Sequence, residues 1–291
     1  MGQTSPWMED GLPGNTRSQS RKFRLSEING LILDIDGVLY EGNRILPGAI
    51  ELISHLNRQR TPYVFFSNNT TYPFQYHVDK LLQLGVSNPQ DILLTAARVT
   101  AQVLAAEASP GAHCFVVGEQ GLVEALQEAG FRVSQEHYKE AAFVVIGMDR
   151  QLTYEKLKSA SLAIRGGASF VSSNPDPSYP DGVNIVPASG AIQAALEAST
   201  GVRARVTGKP ALPGFQIALD RLGTHPWETG FVGDQPEIDI QGAVNAGIWA
   251  FLVLSSLTPQ YQPNDGNPQP TAIFENTFDF YHYWMKREIE R

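Results

Sequence analysis

Short apolar runs alternate along this chain with longer segments whose apolar residues recur at helical spacing. Each run has the length of a buried strand, and most are followed by a segment that a glycine or proline ends. A strand, a helix and a second strand in succession pack as a parallel crossover unit. The alternation therefore predicts an α/β fold, a Rossmann-like parallel sheet with helices on both faces. The apolar runs are 30–33, 63–66, 114–117, 142–146, 169–172, 230–232 and 250–254.

Length and composition narrow the function. The chain has 291 residues, which corresponds to about two domains, and a formal net charge of −8. This charge argues against a protein that binds nucleic acid through a basic face. No apolar stretch approaches the ~20 residues that cross a bilayer, so no membrane partner is expected. The single cysteine, Cys114, excludes an intrachain disulfide and indicates a reducing, cytoplasmic location.

Acidic residues follow two of the predicted strands. Asp34 and Asp36 come directly after the first run, and Asp234 and Asp239 follow the run at 230–232. In parallel sheets, ligands bind beyond the carboxyl ends of the strands. Four acids at two strand ends would make an oxygen-rich site suited to Mg²⁺. Taken singly, the first pair could be solvated turn residues, and Asp234 could cap a helix.

Groups suited to a phosphate occur at two further places. Ser67 and Asn68 follow the second run, and Lys209 lies between a glycine and a proline. Each alone could be an ordinary turn residue or an exposed lysine. Together with acids and a metal, such donors and a cation are what a dianionic phosphate requires.

These motifs, in this order, resemble a known family. Asp34 to Tyr40, Ser67-Asn68-Asn69, Gly208-Lys209-Pro210 and Gly233-Asp234 with Asp239 are similar to the four motifs of the haloacid dehalogenase (HAD) superfamily. The first three resemble its NagD, 4-nitrophenylphosphatase and phosphoglycolate phosphatase branch. The resemblance runs from about residue 28 to 254 and implies a HAD core that an α/β cap domain interrupts.

The resemblance implies a domain division and an activity. It predicts a discontinuous core at 27–109 and 204–291 and an inserted cap at 110–203. The composition of the first 26 residues, rich in Gly, Pro, Ser, Asn and Thr and without an apolar run, predicts a disordered tail at 1–26, with a targeting segment as the alternative. The resemblance implies a Mg²⁺-dependent phosphatase that hydrolyses small-metabolite phosphomonoesters, of the sugar phosphate, nucleotide, phosphoglycolate or 4-nitrophenyl phosphate type. A phosphotransferase and a catalytically silent binding protein on the same scaffold are the alternatives. The oligomeric state is open, with a homodimer through the cap surface as one candidate.

The same resemblance assigns roles to residues. Asp34 would be the nucleophile that forms an aspartyl-phosphate, and Asp36 the general acid and base. Lys209 would stabilise the charge on the phosphoryl group and also bind substrate. Phosphoryl oxygens would be bound by Ser67, Asn68 and Asn69. The metal ligands would be Asp34, Asp36 (through its backbone carbonyl), Asp234 and Asp239.

One position departs from the family pattern. Ile238 stands where the last motif usually has Thr, a change expected to loosen the loop around the metal. In the cap, the turn-rich stretch from 174 to 181 is expected to lie over the site. Its residues Asn174, Asp176 and Tyr179 are candidates for contact with the leaving group, although a plain surface loop is an equal alternative.

Overall fold

Every apolar run predicted as a strand is a strand in the computed structural model, which describes residues 22–181, 184–264 and 266–287. The strands of these ranges are β1 (Gly30–Leu33), β2 (Tyr40–Glu41), β3 (Arg44–Ile45), β4 (Tyr63–Ser67), β5 (Leu93–Thr95), β6 (His113–Val117), β7 (Arg132–Ser134), β8 (Phe143–Ile146), β9 (Ser169–Ser172), β10 (Ser178–Asp181), β11 (Asn184–Pro187), β12 (Arg205–Val206), β13 (Thr229–Gly233), β14 (Trp249–Val253) and β15 (Ala272–Phe274).

Helices follow most of the strands, as the periodicity predicts. They are α1 (Ala49–Gln59), α2 (Phe74–Gln83), α3 (Pro89–Ile92), α4 (Ala96–Ala105), α5 (Gln120–Glu128), α6 (Tyr154–Arg165), α7 (Ser189–Thr200), α8 (Leu212–Leu222), α9 (Gln241–Asn245) and α10 (Thr277–Met285). Threonine hydroxyls fix two of the starts: Thr95 accepts the N–H of Arg98 at 3.3 Å, and Thr153 that of Lys156 at 3.2 Å.

The described residues divide into two compact units, each with its own parallel sheet. The six-stranded unit holds residues 22–67, 78–94 and 214–287, and the five-stranded unit holds 68–77 and 95–213. The sheet order is β15-β14-β13-β1-β4-β5 in the former and β12-β9-β8-β6-β7 in the latter. The boundaries drawn from the sequence, at 109/110 and 203/204, stay a prediction about the cap.

The six-stranded unit has its centre at β1, which pairs in parallel with β13 on one side and β4 on the other. All residues of these three strands are buried. Phe215 of α8 contacts the rings of Phe66 and Phe231, at centroid distances of 5.5 and 5.3 Å. Aromatic residues of α10 pack against Phe251 of β14. Burial of such rings supplies much of the stabilising apolar area.

The five-stranded unit is covered by helices on both faces. Along β6, Cys114 and Val116 pack with residues of α4 and α5, and the alternate residues Phe115 and Val117 pack with residues of α6 and α7. This alternation is the period of two that a strand imposes. The predicted α/β class, with parallel sheets flanked by helices, is confirmed.

Several strands were not predicted. β5, β7 and β15 each form the edge of a sheet, and hairpins pair β2 with β3 and β10 with β11. The edge strand β15 has no fully buried residue, and its three residues, Ala-Ile-Phe, are too few to indicate a strand by themselves. The stretch 174–181, read only as turns, contains β10.

The predicted tail falls largely on residues 1–21, which lie outside the described residues. Its last residues form defined contacts: the Phe23 ring lies 5.1 Å from that of Trp249, and a 3₁₀ turn spans Leu25–Glu27. Among the described residues, contacts with the six-stranded unit thus reach at least four residues before the predicted boundary. In the described ranges, no helix has both the length and the hydropathy to cross a membrane.

Candidate active site

Three buried carboxylates converge at the carboxyl ends of two adjacent strands. Asp34 follows β1 and Asp234 follows β13; these strands pair with Leu33 opposite Val232. Asp239 lies in a π-helical turn, Pro236–Ile240, that comes just after β13. One carboxylate oxygen from each residue lies within 4.8 Å of those of the other two. The side-by-side register of β1 and β13 is what brings acids 200 residues apart together.

Backbone amides hold Asp239 in this cluster. Its Oδ2 accepts the N–H groups of Asp234 at 3.0 Å and Gln235 at 3.1 Å. Its own N–H donates to the carbonyl of Gln235 at 2.8 Å. Ile238, the residue that departs from the family pattern, is buried beside it. Asp239 is therefore tied to the strand end by main-chain contacts that do not involve the side chain at 238.

Gly37 leaves room for one of the carboxylates. A Cβ atom at this position would lie 2.1 Å from Oδ2 of Asp234, and the glycine has φ +86°. A residue with a side chain would meet both a steric clash and an unfavourable left-handed conformation. The position of Asp234 thus requires a glycine at residue 37.

Ser255 is a site residue that sequence reasoning assigned no role. Its hydroxyl donates to Oδ2 of Asp234 at 2.6 Å, and its Oγ accepts the N–H of Leu257 at 3.1 Å. This hydrogen bond orients the Asp234 carboxylate. The available signal was a serine two residues after β14, the strand next to β13, because Ser255 and Asp234 follow neighbouring strand ends.

The three carboxylates have the chemistry of a divalent cation site. Asp34, Asp234 and Asp239 are 4%, 1% and 0% exposed, so water screens their charges little. Two like charges ~4 Å apart repel by about 4 kcal/mol at an effective dielectric of ~20. A cation relieves this repulsion, and a set of carboxylate oxygens favours a hard ion such as Mg²⁺. The residues therefore fit the predicted metal.

Asp36 lies outside that group of carboxylates. It is exposed, and its Oδ1 lies 3.8 Å from Nζ of Lys80 on α2. Lys80 is a second residue that the sequence did not single out. Burial lowers the pKa of Lys80, and the Asp36 charge partly opposes this shift. The structure thus separates Asp36 from the buried acids and gives its side chain a cationic neighbour.

Lys209 is buried and is held by Asn68, both in the five-stranded unit. The Asn68 carboxamide accepts the Lys209 N–H at 2.9 Å and donates to the Lys209 carbonyl at 3.1 Å. Lys209 is 1% exposed, so the reading of an exposed lysine is wrong. Asn69 accepts the N–H groups of Thr71 and Tyr72. Ser67, in the six-stranded unit, ends β4 and is buried.

The candidate leaving-group residues have contacts of their own. The Asn174 amide donates to the Asn68 carbonyl at 2.8 Å, and Asp176 accepts from the Asn68 amide at 2.9 Å. Asn174 is buried and supports Asn68 through this hydrogen bond, and its contact with the leaving group stays a prediction. Tyr179 is on the hairpin strand β10, and burial raises its pKa.

Comparison with known proteins places the chain in a family. Residues 31–132 match a model of haloacid dehalogenase-like hydrolases, and residues 206–279 match a HAD-hydrolase-like model. The acid sugar phosphatase of Staphylococcus epidermidis is 34% identical over 245 residues, which is 84% of this chain and 93% of the relative.

Solved structures give the same result. 4-Nitrophenylphosphatase from Thermotoga maritima superposes with a TM-score of 0.79 at 31% identity, covering 89% of this chain and 98% of that one. NagD from Escherichia coli K-12 gives 0.73 at 30% identity, with 87% and 98% covered. Glycerol phosphate phosphatase from Mycobacterium tuberculosis, in complex with magnesium, gives 0.77 at 29% identity, with 88% and 78% covered.

The chain belongs to the haloacid dehalogenase-like hydrolases. The predicted branch, that of NagD and the 4-nitrophenylphosphatases, is confirmed by these relatives. The predicted enzyme class, a phosphoric monoester hydrolase of the HAD type, is confirmed with it.

Proposed function

We propose that this protein is a Mg²⁺-dependent phosphatase that hydrolyses small-metabolite phosphomonoesters through an aspartyl-phosphate. The observation that carries the proposal is the cluster of Asp34, Asp234 and Asp239, three buried carboxylates at adjacent strand ends. A buried acid cluster is costly to a fold unless it binds a cation or does chemistry.

Asp34 is the nucleophile of the proposed reaction. Its carboxylate oxygen forms a bond to phosphorus while the bond from phosphorus to the ester oxygen breaks. Asp36 donates its proton to that leaving oxygen. Asp36 then takes a proton from a water molecule, which attacks phosphorus, releases inorganic phosphate and restores Asp34.

Mg²⁺ would be held by Asp34, Asp234 and Asp239, with the backbone carbonyl of Asp36. When bound, the ion supplies positive charge that reduces repulsion between the nucleophile and a dianionic phosphate. The magnesium complex of the mycobacterial relative supports Mg²⁺ as the ion.

Phosphate binding is assigned to Ser67, Asn68, Asn69 and backbone amides, and charge stabilisation to Lys209. Support comes from the way Lys209 is held: its backbone is hydrogen-bonded on both sides by the Asn68 carboxamide. These bonds fix the point from which the side chain extends, and its burial, at 1% exposure, limits the conformations that the side chain can adopt before it meets a phosphoryl group.

Residues 110–203 are proposed as the cap that selects the substrate. The names of the relatives, acid sugar phosphatase, glycerol phosphate phosphatase and 4-nitrophenylphosphatase, favour a phosphorylated sugar or polyol, with 4-nitrophenyl phosphate as an assay substrate.

A phosphotransferase would use the same residues but require an acceptor hydroxyl. Cytoplasmic location and a homodimer stay predictions.

Substitution of the nucleophile tests the proposal. With 4-nitrophenyl phosphate and Mg²⁺, we expect Asp34→Asn to abolish phosphate release while the circular dichroism spectrum stays unchanged. Asp220→Asn, which changes an exposed aspartate of α8, is the matched control. Removal of Mg²⁺ by EDTA should stop the wild-type reaction and added Mg²⁺ should restore it. Undiminished release by Asp34→Asn would refute the mechanism, and release only with an acceptor alcohol would favour the phosphotransferase.

A further inference from the structure

Lys80 is a buried, positively charged residue that was not among the site residues predicted from the sequence. It lies on α2, and its side chain is 10% exposed. Burial of an ammonium group costs free energy that an apolar side chain of similar volume would not. Its placement therefore calls for a role that an apolar residue could not fill.

The ammonium group of Lys80 lies among groups of the segment that follows Asp34. Its Nζ is 3.8 Å from Oδ1 of Asp36, donates to the carbonyl of Gly42 at 2.8 Å, and lies 4.2 Å from the centroid of the Tyr40 ring. In return, the Tyr40 hydroxyl donates to the Lys80 carbonyl at 2.6 Å. Lys80 thus contacts the start, the middle and the end of the segment 36–42.

The segment itself is closed by backbone hydrogen bonds. The Gly37 N–H donates to the Tyr40 carbonyl at 2.7 Å, and the Tyr40 N–H donates to the Ile35 carbonyl at 3.0 Å. Main-chain contacts therefore fix the Asp36 backbone, but its side chain is half exposed. Because the Asp36 carboxyl group is not enclosed by packed side chains, the nearby Lys80 ammonium group can restrict its position.

We infer that Lys80 is a positioning residue that holds the Asp36 carboxyl group where it can transfer a proton to the leaving group. This inference rests on the proposed function, in which Asp36 is the general acid. Lys80 acts through Asp36 in two ways. At 3.8 Å its ammonium group attracts the ionised carboxylate and, more weakly, the dipole of the protonated carboxyl group, and its hydrogen bond to Gly42 anchors the segment in both protonation states. An acid displaced by even about 1 Å transfers its proton much less effectively.

Two substrates that differ in their leaving group can show whether Lys80 positions Asp36 or only stabilises the fold. Phenolate, whose conjugate acid has a pKa of about 10 like tyrosine, needs protonation as it leaves, whereas 4-nitrophenolate is stabilised by its nitro group and needs little. The ratio of kcat/KM for 4-nitrophenyl phosphate to that for phenyl phosphate therefore reports the general acid. Because kcat/KM covers only the steps up to aspartyl-phosphate formation, hydrolysis of that intermediate does not enter it.

The experiment compares wild type, Lys80→Met, Asp36→Asn and Arg221→Met in the full-length protein with Mg²⁺. For Lys80→Met we expect kcat/KM to fall at least about tenfold with phenyl phosphate and less than about threefold with 4-nitrophenyl phosphate. The loss with phenyl phosphate should not exceed the roughly 10²–10⁴-fold that a general acid supplies in full. Arg221→Met removes a basic side chain that donates to the Asp91 and Leu93 carbonyls, and should leave the ratio unchanged.

The outcomes separate the two proposals. If Asp36→Asn changes the ratio but Lys80→Met lowers both substrates equally, or neither, the inference about Lys80 is overturned and the proposed function stands. If Asp36→Asn leaves phenyl phosphate hydrolysis intact, the proposed function itself fails. Should Lys80→Met not fold, Lys80→Arg is measured in the same way; it keeps the charge but moves it, and an unchanged ratio in that variant overturns the inference.

Discussion

The carboxamide of Asn68 holds both backbone groups of Lys209: it accepts the N–H at 2.9 Å and donates to the carbonyl at 3.1 Å. The two residues are 141 positions apart in the chain and both are buried. An asparagine is suited to this role because its side chain carries a donor and an acceptor with the geometry of a peptide group. This pairing makes Asn68 a support for the lysine, in addition to its proposed contact with phosphate.

Replacement of Asn68 should therefore affect stability as well as activity. Asn68→Ala leaves the Lys209 N–H and carbonyl without this partner, so we expect the free energy of unfolding to fall by about 2 to 4 kcal/mol. Activity towards 4-nitrophenyl phosphate should fall at least about tenfold. Urea denaturation and steady-state kinetics measure the two effects.

Asn245→Ala is the control for the asparagine itself. Asn245 is exposed on α9, and its side chain accepts a hydrogen bond from the exposed side chain of Gln241. Its loss should therefore cost less than about 0.5 kcal/mol. If Asn68→Ala is no less stable than this control, Asn68 does not support Lys209.

Ser255→Ala should weaken binding of Mg²⁺. The hydroxyl that orients Asp234 is lost, and loss of a partner behind a metal ligand typically costs 10- to 100-fold in affinity. Titration calorimetry of the purified protein with Mg²⁺ measures the change. Ser255→Thr keeps the hydroxyl and should restore most of the affinity.

Ser256→Ala controls for the loss of a serine hydroxyl nearby. Ser256 is exposed, and its side chain bonds to Glu41 rather than to the acid cluster. Equal Mg²⁺ affinity in all three variants and the wild type would show that Ser255 does not act on the metal site.

Gly37→Ala should remove activity through a clash with Asp234. The added Cβ would lie 2.1 Å from Oδ2 of that residue, so we expect a loss of at least about 100-fold in kcat/KM, comparable to that of removing an important catalytic contact. Gly85→Ala is matched for backbone conformation, with φ +78° against +86°, but has nothing within 4 Å of the new Cβ. It should cost only the ~1–2 kcal/mol of the left-handed conformation and keep its activity. Equal activity of the two variants would contradict this account.

Cys114 should not react with thiol reagents in the folded protein. Burial in the five-stranded unit raises its pKa to about 12. The thiol therefore stays protonated through neutral and mildly alkaline pH, and the thiolate is the reactive form. Labelling with iodoacetamide at pH 8 should be slow in the native state and reach one thiol per chain in urea. Rapid labelling of the native protein would show that the site opens or that the thiol ionises.

The central strands could be predicted from the sequence, and the edges could not. β1, β4 and β13 are buried on both faces, so each is a continuous apolar run that a polar cluster ends. β5, β7 and β15 lie at sheet edges and the hairpin strands are short, so their pairing depends on neighbours that no local pattern reveals. The buried central strands alone were enough to predict the α/β fold class.

The acids of the candidate site were visible for the same reason: the strand ends that precede Asp34 and Asp234 are marked by the apolar runs before them. Lys80 and Ser255 carry no such mark. In the sequence, Lys80 is one polar residue of a helix and Ser255 one residue of a polar stretch. The role of Lys80 depends on Asp36, 44 positions away, and that of Ser255 on Asp234, 21 positions away.

The sequence by itself thus determined the α/β class, the strand ends and the types of group gathered there, because burial and periodicity are local properties of the chain. The tertiary structure alone decided which carboxylates cluster, that Asp36 stands apart beside Lys80, and that Asn68 fixes the backbone of Lys209. These are distances between residues far apart in the chain, and they are set by the packing of whole strands and helices.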